Sequence, residues 1–169
     1  MKTPFAHLIT GATGAGKTTY ARALADEIGG VHFAIDEWMT GLFAPDLPTP
    51  ITPAWIWERV ARCETLIEKQ ALQVLGRGLS AVLDLSFLQA ADRQRMATAV
   101  WAAGFDVRLH WLDVPVETRW QRVAQRNAEK GPTYTMPVTR PMFDYIETRW
   151  QPPSAEEFAA LKGVSHATA

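Results

Sequence analysis

The stretch Gly11-Ala12-Thr13-Gly14-Ala15-Gly16-Lys17-Thr18 fits the pattern G-x-x-x-x-G-K-[ST] at every fixed position. Small residues let successive backbone N–H groups turn inward and bind phosphate oxygens. A helix that follows such a loop adds its unpaired N-terminal amides and the positive end of its dipole. The pattern therefore predicts a phosphate-binding loop, in which Lys17 reaches the β- and γ-phosphates of a nucleotide and the Thr18 hydroxyl binds Mg²⁺.

The residues on both sides of this loop have the order that such a site requires. Residues 6–10 are a short, mostly apolar run, typical of a buried strand, and 18–28 carry apolar residues at helical spacing before Gly29-Gly30. Strand, loop and helix in this order favour nucleotide binding over a chance glycine-rich turn. The predicted nucleotide-binding residues are Gly11, Ala12, Thr13, Gly14, Ala15, Gly16, Lys17, Thr18 and Thr19.

Strands and helices alternate along the rest of the chain. Further strands are predicted at 31–35, 79–85 and 105–112, and helices at 54–75, 91–103, 116–130 and 142–150. Such alternation predicts an α/β fold, with a mainly parallel sheet of four to five strands between two layers of helices. Four prolines and a glycine predict a loop over 40–53. The tail after Pro153 lacks a clear apolar strand, which predicts a frayed end and a fifth strand that is reduced or absent.

Composition limits the class of protein. The 169 residues lead us to expect a single domain over 1–169. The formal net charge of −1 makes nucleic acid an unlikely partner. No apolar run reaches the roughly 20 residues that span a membrane, and we expect no signal peptide because the N-terminal residues lead directly into a predicted strand. A single cysteine, Cys63, excludes an internal disulfide and predicts a buried structural thiol in a cytoplasmic protein. No pattern specifies an oligomeric state.

Two aspartates follow predicted strands. Asp36 comes directly after the second strand and Asp84 closes the apolar run of the third. Because ligands of a parallel sheet bind outside the carboxyl ends of its strands, both should lie beside the phosphate loop. Asp36 is a candidate general base for a substrate hydroxyl, or a helix cap; Glu37 could share or replace its role. Asp84 is a candidate Mg²⁺ ligand or substrate-orienting group, or a structural aspartate at a strand end.

Three arginines share the predicted helix 116–130. Arg119, Arg122 and Arg126 fall within roughly a 60° arc of its surface. We interpret Arg119 as part of a solvated basic face. Arg122 and Arg126 are candidates for stabilising transferred phosphoryl charge, because the planar guanidinium suits its equatorial oxygens. Gly131-Pro132 resembles a hinge, which predicts a lid over about 116–141.

The aromatic residues and histidines give weaker signals. Trp38, Trp55 and Trp57 are candidates for an apolar substrate wall, whereas Trp101, Trp111 and Trp120 are expected in the core. The four histidines, His7, His32, His110 and His166, show no metal-ligand spacing and are expected to have structural or surface roles.

These motifs together resemble the P-loop kinases of the AAA_33 or zeta-toxin-like group, which includes chloramphenicol phosphotransferase and polynucleotide 5′-hydroxyl kinase domains. The resemblance covers about residues 5–157 and implies a three-layer P-loop NTPase fold. It implies that Lys17 and Thr18 hold ATP and Mg²⁺, that Asp36 is the base and that Arg126 is the lid arginine. The matching residues are Gly11 to Thr18, Asp36, Val82-Leu83-Asp84 with Phe87, Arg122 to Asn127, Val138-Thr139, Met142-Phe143-Asp144 and Pro152-Pro153.

The sequence favours an ATP-dependent kinase that phosphorylates a hydroxyl of a small molecule. Nucleic-acid kinases of the group tend to carry an arginine soon after the base aspartate, but here the run is Asp36-Glu37-Trp38-Met39. A polynucleotide 5′-hydroxyl kinase is therefore a weaker alternative. The other alternative is a regulatory ATPase that acts through a partner. A GTPase is less attractive because the chain has no N-K-x-D motif.

Overall fold

The computed structural model describes residues 3–130 and 137–167, and within them five parallel strands form one sheet in the order β2-β3-β1-β4-β5. The strands are β1 Phe5–Thr10, β2 Val31–Ala34, β3 Ala81–Asp84, β4 Asp106–Asp113 and β5 Val164–Ala167. The helices are α1 Lys17–Ile28, α2 Ile35–Phe43, α3 Pro53–Gly76, α4 Ala90–Ala102, α5 Val116–Glu129, α6 Arg140–Glu147 and α7 Ala155–Ala160. No helix among the described residues is long and apolar enough to cross a membrane.

Helices cover both faces of the sheet, as the alternating sequence predicts. On one face, a large core joins α3 and α4 to the sheet and includes Ile67, Met96 and the buried thiol of Cys63. On the other face, α1 packs against the sheet through Ala21 and Ala25. β1 lies between β3 and β4, so its residues are buried after the first. The chain leaves this central strand directly into the phosphate loop, residues 11–16, at the switch point where such sheets bind ligands.

The C-terminal tail departs from the sequence prediction. Residues 164–167 are not frayed: they form β5, which pairs in parallel with His110 to Asp113 of β4. The strand is short and mostly exposed, with the sequence Val-Ser-His-Ala. An edge strand of this kind needs no continuous apolar run, because pairing on one side holds it. The fifth strand is therefore short, as one of our two expectations stated, and it is not absent.

The predicted loop over 40–53 is also partly wrong. α2 begins at Ile35 and continues to Phe43, so Asp36 lies in the first turn of a helix and not at the end of a strand. Pro45 and Pro53 act as the pattern predicts: the first falls in a short 3-10 turn, and the second begins α3 after the Thr52 cap. Gly41 does not stop the helix. Trp101, which we expected in the core, is 39% exposed.

A buried arginine ties α4 to the chain segments at the carboxyl edge of the sheet. Arg93 is fully buried and forms a bidentate ion pair with Glu157, at 2.5 and 2.8 Å. It also donates to the backbone carbonyls of Phe87 and Gln151, each at 3.0 Å. Phe87 and its neighbour Ser86 both have positive φ angles, 46° and 69°. The arginine thus holds a strained turn in the chain just past Asp84.

We predict that Arg93→Gln lowers the free energy of unfolding by about 3–5 kcal/mol, because it leaves Glu157 and two carbonyls without their buried partner. Arg95→Gln is the matched control. Arg95 lies two residues away on α4 and pairs with Glu64 and Glu68, but its own side chain is exposed. Its replacement should therefore lower the free energy of unfolding by about 1 kcal/mol or less. Urea unfolding of both variants measures the difference. Equal losses would contradict the structural role of Arg93.

Candidate active site

The phosphate loop is held in its shape by α5. Gly14 and Gly16 have φ angles of 82° and 92°, in the left-handed region that favours glycine. A Cβ at Gly14 would lie 2.5 Å from the Arg119 carbonyl oxygen, so no side chain fits there. The backbone of α5 therefore packs directly on the loop. Gly16 forms the N-cap of α1, whose first amides complete the predicted anion site.

Lys17 folds back over the loop. Its Nζ donates to the carbonyl oxygens of Gly11, at 2.9 Å, and Ala12, at 3.3 Å. Burial lowers the pKa of this amine, while the nearby carboxylates of Asp84 and Asp36 oppose the shift. The amine is thus held among the loop's own carbonyls, close to both aspartates that sequence analysis selected.

Thr18 and Asp84 form the candidate metal site. The Thr18 hydroxyl donates to Asp84 Oδ2 at 2.7 Å, and the aspartate is only 5% exposed. His32 lies beside this carboxylate: its Nε2 is 3.8 Å from Asp84 Oδ2 and has no hydrogen-bond partner among the described residues. A hydroxyl and a buried carboxylate are hard oxygen ligands of the kind that Mg²⁺ takes. The residues present therefore fit the predicted cation.

Asp36 and Glu37 are adjacent but differ in their surroundings. Glu37 pairs with Arg22 at 2.5 Å on the exposed side of α2. Asp36 lies toward the loop: burial by the surrounding protein raises the pKa of its carboxyl, and Asp84 adds to this, while Lys17 and Arg126 oppose it. Asp36 is nevertheless one of the exposed residues of α2, so it can be reached from solvent. Of the two acids, Asp36 is the one in electrostatic contact with the site.

The expectation that Arg119 belongs to a solvated face is wrong. Arg119 is only 5% exposed, and its guanidinium donates to the carbonyls of Val114, at 2.9 Å, and Thr13, at 3.2 Å. Glu147, at the end of α6, accepts from it twice, at 2.6 and 2.7 Å. The face of α5 that sequence reasoning left to water is covered by α6. Arg119 thereby connects the phosphate loop, α5 and α6.

Arg122 and Arg126 lie on different sides of the loop. Arg126 is close enough to Lys17 and Asp36 to lower the pKa of each, and its buried Nε has no hydrogen-bond partner among the described residues. Arg122 instead lines a pocket of about 430 Å³ on the outer side of the loop. The other lining residues are Ala15, Gly16, Thr19, Tyr20, Ala23, Leu112 and His166. The hinge predicted at Gly131-Pro132 falls outside the described residues.

Three of the four histidines meet below this pocket, which the sequence did not predict. His110 is hydrogen-bonded to His7, at 2.9 Å, and to the Tyr20 hydroxyl, at 2.7 Å. Tyr20 also contacts His166 on β5 at 2.9 Å. Burial lowers the pKa of His7 to about 4 and that of His110 to about 3, so both rings are neutral at pH 7. The three histidines and Tyr20 form one hydrogen-bonded chain that joins β5 to α1, which is consistent with a structural role.

Comparison with protein families matches residues 7–153 to AAA_33, described as an AAA domain. The chain belongs to this family. The match includes the phosphate loop, Asp36, Asp84 and the arginines of α5, so it spans every residue that the sequence assigned to the site. No curated protein matches the chain.

Solved structures share the fold at low sequence identity. A protein provisionally described as a kinase, from Chloroflexus aurantiacus J-10-fl, is 19% identical with a TM-score of 0.76, over 98% of this chain and 89% of that chain. Kti12 from Chaetomium thermophilum, in complex with ADP-AlF3, is 17% identical with a TM-score of 0.72, and the match covers 95% of this chain and 88% of Kti12. A gluconokinase from Sinorhizobium meliloti 1021 is 17% identical with a TM-score of 0.65, and the match covers 100% of this chain and 85% of the gluconokinase. The predicted P-loop NTPase fold is confirmed.

We predict that Gly14→Ala weakens ATP binding about tenfold or more, because a Cβ meets the α5 backbone and the residue must keep a positive φ. Gly41→Ala is the control, since a Cβ there meets nothing within 4 Å and α2 tolerates alanine. Calorimetric titration with a non-hydrolysable ATP analogue measures both affinities. Unchanged affinity in Gly14→Ala would show that the nucleotide does not depend on this loop shape.

Proposed function

We propose that the protein is an ATP-dependent kinase that phosphorylates a hydroxyl of a small molecule. The observation that carries the proposal is the joint placement of Lys17, Asp36 and Arg126, whose charges act on one another around the phosphate loop. A site that only bound a nucleotide would not need a second carboxylate, Asp36, whose pKa is raised by burial and by Asp84. The kinase descriptions of two structural neighbours agree with the proposal.

The donor side consists of the loop amides, Lys17 and the two arginines. Lys17 exchanges its bonds to the Gly11 and Ala12 carbonyls for oxygens of the β- and γ-phosphates. Arg126 offers donors to the transferred group, since its buried Nε is left without a partner in the described part of the chain. Arg122 lies over the pocket beside Thr19 and Tyr20, where it can stabilise the rest of the nucleotide.

The acceptor side is built on Asp36. The acceptor oxygen forms a bond to the γ-phosphorus as that atom's bond to the β,γ-bridging oxygen breaks, and the hydroxyl proton passes to Asp36. ADP then leaves with the bridging oxygen. Thr18 and Asp84 would hold Mg²⁺, which supplies charge neutralisation at the phosphates when bound. Arg119 keeps α5 on the loop throughout.

We predict that Asp36→Asn lowers the rate of phosphate transfer about 10²–10⁴-fold while ATP affinity stays nearly unchanged, because only proton removal is lost. Glu37→Gln is the matched control and should retain transfer, since Glu37 is engaged with Arg22. Detection of the phosphorylated product by mass measures transfer. Equal turnover of Asp36→Asn and the unchanged protein would contradict the assignment of the base.

The pH dependence follows from the direction of the Asp36 shift. The pKa of Asp36 is raised above the ordinary 3.8, and the base must be ionised to accept a proton. Transfer should therefore be half lost on acidification to the raised pKa, which lies above that ordinary value, and should fall further below it. The measurement is kcat/KM against pH, with nucleotide affinity followed over the same range. A rate that stays flat down to the ordinary value would contradict an Asp36 base.

The two alternatives from the sequence predict different products. A regulatory ATPase would release inorganic phosphate and respond to a protein partner, with no phosphorylated small molecule. A polynucleotide 5′-hydroxyl kinase would label an oligonucleotide. No observation in the described residues favours either one.

A further inference from the structure

The arginines of this chain divide into two groups by their charge partners. Seven have a carboxylate within 4.0 Å: Arg22, Arg59, Arg62, Arg93, Arg95, Arg119 and Arg140. Within residues 3–130 and 137–167, the other five have no such partner: Arg77, Arg108, Arg122, Arg126 and Arg149. A guanidinium that is left without a carboxylate at a binding cleft is a candidate to bind an anionic ligand.

The fold or the proposed donor side accounts for four of these five arginines. Arg77 caps the carboxyl end of α3, at the edge of the sheet opposite the site. Arg108 lies over the Phe5 ring at 4.8 Å, beside the start of β1. Arg122 and Arg126 belong to the donor side described above. Arg149 remains, and neither the kinase proposal nor the fold accounts for its charge.

Arg149 lies at the same edge of the sheet as Asp36. Two residues after it, the Gln151 amide donates to the Leu88 carbonyl at 2.9 Å, in the turn that follows β3 and Asp84. Its guanidinium carbon is 5.2 Å from the centre of the Trp57 ring, near the start of α3. In a parallel α/β unit, a helix that leads into a strand starts at the carboxyl edge. Arg149 and Trp57 therefore lie at the carboxyl edge of the sheet, the edge that also carries Asp36 and the phosphate loop.

The stacking leaves the donors of Arg149 available. An arginine over an aromatic ring uses the flat face of its guanidinium, while its N–H groups point outward in the plane. Trp57 is 41% exposed, so the pair is accessible from solvent at this edge of the sheet. Carboxylate and phosphate oxygens match the planar fork in a bidentate arrangement. The ring orients the guanidinium in advance, which lowers the entropic cost of binding an anion.

We propose that Arg149, oriented by Trp57, binds an anionic group on the acceptor, so that the substrate is an alcohol carrying a carboxylate or a phosphate. This inference rests on the proposed kinase function and adds the chemical class of its substrate. The shared chemistry is an oxyanion on the acceptor. Arg149 would hold this oxyanion while the hydroxyl of the same substrate lies between Asp36 and the γ-phosphate.

The test uses three acceptor mixtures at equal concentration: neutral polyols, the corresponding sugar acids, and the corresponding phosphate monoesters. ATP-dependent transfer is followed by mass. The protein should phosphorylate one of the two anionic mixtures with a kcat/KM at least about tenfold above the neutral one. The mixture that reacts distinguishes a carboxylate from a phosphate. Transfer to neutral polyols at an equal rate would overturn the inference and leave the kinase proposal intact.

Arg149→Gln tests the residue itself. It should raise KM for the anionic acceptor about 10- to 100-fold, with kcat and ATP affinity little changed, because a charge-assisted pair is lost only on the acceptor side. Arg149→Lys should recover part of the loss. An unchanged KM in Arg149→Gln would overturn the inference even if the acceptor is anionic.

Arg59→Gln is the matched control for the stacked arginine. Arg59 lies over Trp55 at 3.9 Å, but it also donates to the Trp55 carbonyl at 3.1 Å and lies 3.5 Å from Glu58. Its charge is therefore already partnered, and KM should not change. Thermal unfolding of both variants shows whether either loses its fold. If no mixture is phosphorylated by the unchanged protein, the kinase proposal fails for these acceptors, and this inference fails with it.

Discussion

Gly14 lies so close to α5 that a Cβ there would come within 2.5 Å of the Arg119 carbonyl oxygen. The contact joins the loop that leaves the central strand to the helix that carries the site's arginines. The Arg119 side chain extends the connection, because it binds the Thr13 carbonyl on one side and Glu147 on the other. The shape of the phosphate loop and the position of Arg126 thus depend on one packed junction. A change in α5 should therefore alter nucleotide binding as well as transfer.

The charged groups beside this junction only partly offset the effect of burial on one another's pKa. Lys17 and Arg126 face Asp36 and Asp84, and burial still raises the pKa of Asp36 and lowers that of Lys17. Both groups are thereby moved toward their neutral forms in the protein alone. A nucleotide with its cation would bring negative phosphates to the lysine and positive charge to the carboxylates. Such a ligand would favour the charged forms of both groups.

Local patterns predicted most of the fold. The phosphate loop, the apolar strands and the long α3 are each specified within a few residues, by small residues, apolar runs and helical spacing. Asp36 and Asp84 could be placed near the loop because parallel strands end at a common edge. The extension of α2 to Phe43 could not be predicted, since the prolines that follow suggested a loop from residue 40. β5 was hard to recognise because an edge strand of four residues carries no apolar signature.

Features that depend on contacts between distant parts of the chain could not be predicted from the sequence. Arg119, Arg122 and Arg126 share one face of a helix, and only the packing of α6 shows that the first is buried. The hydrogen-bonded chain of His7, His110, His166 and Tyr20 joins residues from four elements, so no spacing in the sequence could reveal it. The same holds for Arg149 and Trp57, which are far apart in the chain. Sequence analysis thus selected Asp36 and Trp57 as candidates but could not select Arg149, because its contact with Trp57 joins distant parts of the chain.

The central claim is that a hydroxyl compound, and not water, receives the γ-phosphate. The most direct measurement is incubation of the protein with ATP, Mg²⁺ and a metabolite library, followed by mass detection of every product. The account predicts one small molecule that gains a single phosphoryl group in equal amount with the ADP formed. ADP accompanied only by inorganic phosphate, with no phosphorylated compound, would contradict it.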